Sequence, residues 1–109
     1  MTYSTPSDVR RFAPVEKSVI SDTEINEYIA DADAQIDQEI GAFTEPVPRR
    51  IKRLSALLAA KDILGRPDVA ISFSAGDFSE AESKEELIAI LDIEIEKICR
   101  HYQTGLRKV

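Results

Sequence analysis

Apolar side chains recur at helical spacing along four segments of the chain, and each segment has its own start signal. The first predicted helix begins at Thr5 to Asp8, where a hydroxyl cap, a proline and an early carboxylate favour initiation, and it ends near Pro14. The second opens on a capping box, Ser21 to Glu24. Its apolar stripe predicts one buried face and consists of Ile25, Tyr28, Ile29, Ala32, Ile36, Ile40 and Phe43.

The third predicted helix runs from about Pro48 to Gly65, and the fourth runs from the capping box at Ser83 to about Tyr102. The third carries five large apolar residues toward the core: Ile51, Leu54, Leu57, Leu58 and Leu64. The fourth has a stripe formed by Leu87, Leu91, Ile95, Ile98 and Tyr102. Ile90 and Ile93 fall away from that stripe. Either this helix is central in its own domain, or its second face packs against a neighbouring subunit.

The segment from Ile71 to Phe78 alternates apolar and small polar residues around Gly76, a pattern typical of a β-hairpin. A lone hairpin is marginally stable in water, so we expect it to rest on the chain's own helices or on neighbouring copies. The predicted fold is mostly α: a small bundle of about four helices with a short β-hairpin between the third and fourth. We expect one domain over residues 1–109, with a tail at 104–109 that becomes ordered only on binding.

Charge is distributed unevenly along the chain. The second helix is acidic, whereas the third opens with Arg49, Arg50, Lys52 and Arg53, at the helix end where the dipole disfavours positive charge. These cations could be solvated, could meet an acidic surface of a neighbour or partner, or could contact phosphate. The net charge of −6 argues against electrostatic nucleic-acid binding by the whole domain.

Candidate catalytic chemistry is sparse. The single histidine, His101, is two positions from the single cysteine, Cys99, which on a helix separates their directions by about 200°. Asp33 and Asp37 share a helix face, so the two carboxylates are a candidate site for a divalent ion. Such a site would imply a minor enzyme with an acidic metal centre, although pairs of this kind are common in acidic helices. We expect no enzyme activity and no cofactor, and no apolar run is long enough for a membrane span.

Three segments carry a family resemblance: Thr5–Phe12, Ile20–Ile36 and Arg53–Leu64. In this order they resemble the head-tail connector proteins of tailed phages, also called adaptor or head-completion proteins. The resemblance extends over most of the chain. Members of that family have a short opening helix, two long helices, a small hairpin and a terminal helix. This chain departs from them in its short hairpin region and isoleucine-rich terminal helix.

The resemblance implies a structural role in virion assembly. Family members form a ring of about twelve copies under the portal protein of a phage or prophage head. The ring extends the DNA channel and gives a stopper or tail-completion protein its platform, and DNA passes through without specific binding. The implied location is the head-tail interface of the virion, with the host cytoplasm as the site of assembly.

Contact residues are expected in four places on the chain. The hairpin would close the ring, the basic cluster would meet a neighbour or the portal, Ile90 and Ile93 would form a second packing surface, and residues 99–109 would dock on the portal. These candidates are Arg49, Arg50, Lys52, Arg53, Ile71, Phe73, Gly76, Asp77, Phe78, Ile90, Ile93, Tyr102 and Leu106. The alternative function is a small helical regulatory or DNA-associated module that uses the basic cluster at residues 49–53 and binds duplex DNA in a salt-dependent way.

Overall fold

The computed structural model describes residues 2–67, 77–78, 81 and 83–102, and this part of the chain is mostly α-helical. It forms four helices: α1 (Pro6–Phe12), α2 (Asp22–Glu39), α3 (Arg49–Leu64) and α4 (Lys84–Tyr102). The predicted order of four helices is confirmed, and their ends lie close to those expected.

Several predicted contact residues fall outside the described part of the chain. Residues 71–76 of the predicted hairpin and the tail at 104–109 are not among the described residues, which places Ile71, Phe73, Gly76 and Leu106 outside them. Asp77 and Phe78 form a turn, and the described residues contain no strand. The hairpin therefore stays a prediction.

Local hydrogen bonds explain where three of the helices begin. The Thr5 hydroxyl accepts from the Asp8 backbone N–H, and the Asp8 carboxylate accepts from the Thr5 N–H, which completes a capping box. The box predicted at Ser21 is also present. In α4 the Ser83 hydroxyl accepts from the Glu86 N–H at 3.1 Å. By contrast, α3 follows Pro48 without a side-chain cap and has no acidic residue in its first turn.

Helix α3 occupies the centre of the bundle, because it packs against each of the other three helices. Small side chains at Ala56, Ala59 and Ala60 are fully buried and allow these close approaches. Four residues of the predicted α2 stripe are buried, namely Ile25, Ile29, Ala32 and Ile36. The other three, Tyr28, Ile40 and Phe43, are half-buried and pack against the core. Helix α4 buries Leu87, Leu91, Ile98 and Cys99 but is open on its outer side. None of the described helices is both long and apolar enough to cross a membrane.

Candidate functional site: a basic cleft between α1 and α3

A cleft of about 420 Å³ opens between the end of α1 and the start of α3, and it contains the predicted basic cluster. Five of its eight lining side chains are cationic and one is anionic. The lining residues, which we call the basic cleft, are Asp8, Arg11, Phe12, Arg49, Arg50, Lys52, Arg53 and Ala56. Sequence reasoning found the four cations of α3 but missed Arg11 and Phe12, whose only signal was an arginine pair at the end of the first helix.

Three cations of the cleft are not neutralised by the rest of the described chain. Arg49, Arg50 and Lys52 are exposed, and none of them has an ion pair within the described ranges. They lie in the first turn of a helix that lacks an acidic residue there, where the helix dipole adds further positive potential. An anionic group placed in the cleft would therefore be stabilised by both the side chains and the helix end.

Arg53 has a different role, because its own chain holds it in place. Its Nη2 donates to Glu94 Oε1 at 3.1 Å, and its guanidinium carbon lies 5.0 Å from the centre of the Phe12 ring. Burial raises the pKa of Glu94, but hydrogen bonds and charges from Arg53 and Lys97 outweigh burial, so this pKa lies below its ordinary value. Arg53 therefore forms a fixed wall of the cleft and joins α3 to α4.

Two residues of the predicted hairpin segment contact α1 of their own chain. Phe78 stacks on Phe12 with ring centres 5.7 Å apart and planes 22° apart. The Asp77 carboxylate accepts from Arg11 Nη2 at 2.9 Å, and the Asp77 N–H donates to the Arg11 carbonyl at 2.8 Å. At these two residues, the segment rests on the chain's own first helix.

The end of α4 lies beside the start of α3. Arg50 Nη1 is 3.4 Å from Nε2 of His101, and the His101 ring meets Tyr102 edge-on at 5.0 Å. Tyr102 also contacts Phe43 edge-on, at 6.2 Å between ring centres. The predicted contact residue Tyr102 is thus half-buried within its own chain.

The two residues of the predicted second packing surface, Ile90 and Ile93, differ in exposure. Ile90 is half-buried and packs against the core, whereas Ile93 is 57% exposed. A shallow depression surrounds Ile93 on the outer side of α4, lined by Glu96, Lys97 and Arg100. Of these two residues, Ile93 is therefore the one that can cover apolar surface on another molecule.

Helix α2 presents an acidic face on the side opposite its buried stripe. We define this face as Glu27, Asp31, Ala34 and Gln38, which are exposed and follow one another at helical spacing. Neither carboxylate has an ion pair among the described residues. Burial raises the pKa of Asp62 in α3, and the nearby negative charge of Asp31 raises it further against the effect of Lys61.

Both carboxylates of the candidate divalent-ion site, Asp33 and Asp37, accept hydrogen bonds from their own chain. Asp33 accepts from the Tyr3 backbone N–H at 2.8 Å and from the Ser55 hydroxyl at 2.6 Å, and Ser55 in turn bonds Ser4 at 2.7 Å. Asp37 accepts from the Tyr3 hydroxyl. Within the described ranges, no three His, Cys, Asp or Glu side chains are arranged to hold a metal ion. These two carboxylates therefore anchor the first residues of the chain to α2 and α3.

Comparison of the chain with protein-family models, with curated proteins and with solved structures finds no match. Function is therefore inferred from the charged surfaces of the described residues and from the order of the helical segments.

Proposed function

We propose that this chain is a structural adaptor of a tailed phage or prophage, which forms a ring under the portal, extends the DNA channel and provides the platform for stopper or tail attachment. The observation that supports this proposal is the pair of unlike surfaces on one chain. The basic cleft and the acidic face of α2 each carry charges without ion pairs in the described part of the chain. The contacts of a ring join different patches on successive copies, and two patches of opposite charge suit such a contact.

Each part of the proposed assembly has a candidate segment. The predicted hairpin at residues 71–78 would close the ring, and the segment from Cys99 to Val109 would dock on the portal. The net charge of −6 suits a channel lining, since a negative surface repels the phosphates of passing DNA. The proposed role involves assembly and no chemical step.

Mass measurement by light scattering tests the adaptor proposal. The protein is measured alone and after mixing with the purified portal protein encoded in the same genome. We expect a ring-sized species, either free or formed only on the portal. A protein that stays monomeric or dimeric and does not bind the portal would contradict the proposal.

The alternative is a DNA-associated module, and the same unpaired cations favour it. Arg49, Arg50 and Lys52 could contact successive phosphates, and the affinity would then fall steeply with salt. The negative net charge weighs against this function, since the rest of the domain would repel the duplex. Duplex binding by the free protein, with a strong salt dependence and no response to portal, would favour the alternative.

A further inference from the structure

We infer that the basic cleft receives the acidic face of α2 from a second copy of this chain. This inference rests on the proposed function, because it names the contact that joins neighbouring subunits. It commits to one occupant, and the complementary charges of the two surfaces are its basis.

Within the described part of the chain, no side chain of one surface forms an ion pair with a side chain of the other. The basic cleft is at the start of α3. Asp62, whose pKa is raised by burial and by the nearby charge of Asp31, is thirteen positions after Arg49, near the end of the same helix. At 1.5 Å per residue, Arg49 and Asp62 are about 20 Å apart along the axis of α3. Their attraction is therefore available to a neighbouring molecule.

Contacts along α2 and α3 support this placement. Glu24 lies 3.6 Å from Arg66, just beyond the end of α3, and Asp33 bonds Ser55 in the middle of α3. The two helices therefore run antiparallel, and Glu27 lies beside the second half of α3, away from the cleft.

The acidic face also has a shape that suits the cleft. Glu27 and Asp31 are one helical turn apart, so their carboxylates project side by side and can each meet a separate cation. Ala34 is the next residue of the face, and its small side chain lets the helix approach closely. Because cleft and face are different surfaces, each copy would use its cleft for one neighbour and its face for the other.

Zero-length cross-linking of the wild-type protein tests the contact directly. A carbodiimide joins an amine to a carboxylate only when they touch, so Lys52 should become linked to Glu27 or Asp31. Mixing ¹⁴N- and ¹⁵N-labelled protein identifies links between different molecules by mass spectrometry. We expect mixed-isotope links at Lys52, lost in Lys52→Arg, which keeps the charge but removes the amine. Mixed links that join only other lysines would overturn the inference.

Charge reversal gives an independent test in solution. One variant carries Arg49→Glu and Lys52→Glu in the cleft, and the other carries Glu27→Lys and Asp31→Lys on the face. We expect each variant alone to self-associate at least about tenfold more weakly than wild type. A 1:1 mixture should recover association, because the reversed cleft of one variant can bind the reversed face of the other, and the two native surfaces can bind each other. A control, Lys17→Glu with Ser18→Glu, places added negative charge in the exposed loop between α1 and α2, outside both surfaces, and should associate like wild type. It changes the net charge by −3, against −4 for the cleft variant.

The outcomes separate this contact from the adaptor function. If the cleft variant, shown folded by circular dichroism, builds rings on the portal as wild type does, the contact is wrong and the adaptor function stands. If wild type ignores the portal but the cross-link and the recovery by mixing are observed, the contact stands and the adaptor function fails. Loss of duplex DNA binding by the cleft variant, without any mixed cross-link, would overturn the contact in favour of a nucleic-acid site.

Discussion

At the scale of single residues, Asp33 shows how a half-buried carboxylate can fix a segment that lacks secondary structure. It accepts one hydrogen bond from the Tyr3 backbone and one from Ser55, so the start of the chain is tied to both α2 and α3. Burial raises the pKa of Asp33 above its ordinary value, although the hydrogen bonds from Ser55 and Tyr3 act in the opposite direction. Ionised Asp33 is therefore less favourable in the folded chain than in the unfolded one.

The pH dependence of an Asp33→Asn variant tests this account. At pH 7 we expect the free energy of unfolding of the variant to be about 1 kcal/mol lower than that of wild type, because an amide oxygen cannot accept from both donors. Because the folded pKa is raised, wild type should gain stability relative to the variant as pH falls through that pKa toward the unfolded value of 3.8. Urea titrations at several pH values measure the gap, with the exposed Glu39→Gln as the control. A gap that narrows on acidification would contradict the account.

At the scale of elements, Arg10 connects α1 to the start of α2. Its guanidinium donates to the carbonyls of Val15 and Ile20 and to the Asp22 carboxylate, and the side chain is only 16% exposed. The hydrogen bond from Arg10 is the main reason that the pKa of Asp22 lies below its ordinary value. One side chain thus closes the connection between two helices.

A comparison of Arg10→Lys with Arg11→Lys tests this role, because the two arginines are adjacent and differ in burial. Lysine keeps the charge but has one nitrogen in place of the two, Nη1 and Nη2, that contact the three acceptors, so we expect Arg10→Lys to lower the free energy of unfolding by about 2 kcal/mol. Arg11 is 60% exposed, and its replacement should cost under about 1 kcal/mol. Thermal unfolding followed by circular dichroism measures both. Equal losses of unfolding free energy in the two variants would show that the hydrogen bonds of Arg10 contribute no more to stability than an exposed surface charge does.

These elements also show which features of the structure could be predicted. Capping boxes and apolar stripes are local, so the sequence predicted the four helices and the buried residues of α2. The contacts of Arg10 and Asp33 are not local, because they depend on where a loop and the first residues of the chain pack. The shared face of Asp33 and Asp37 was visible in the sequence, but their partners Tyr3 and Ser55 were not. Only the α3 cations of the basic cleft could be predicted from the sequence, since Arg11 reaches the cleft through the packing of α1 on α3.

At the scale of the whole molecule, the chain offers other molecules two kinds of surface. Charge dominates the basic cleft and the acidic face, whereas Ile93 exposes apolar area on the outer side of α4. Salt distinguishes the two kinds of contact, because the screening length falls from about 10 Å at 0.1 M to about 3 Å at 1 M. Apolar contacts are not weakened in this way.

The variant Ile93→Gln tests whether this apolar area is covered in the assembly. Since the side chain is already exposed, its replacement should change the free energy of unfolding by no more than about 0.5 kcal/mol. We expect weaker ring formation on the portal by a similar factor at 0.1 M and 1 M salt, whereas the defect of the cleft variant should shrink at 1 M because its repulsion is screened. Light scattering measures both, with the exposed Glu85→Gln on the same helix as control. If Ile93→Gln assembles as wild type does at both salt concentrations, Ile93 stays exposed in the ring and makes no contact between subunits.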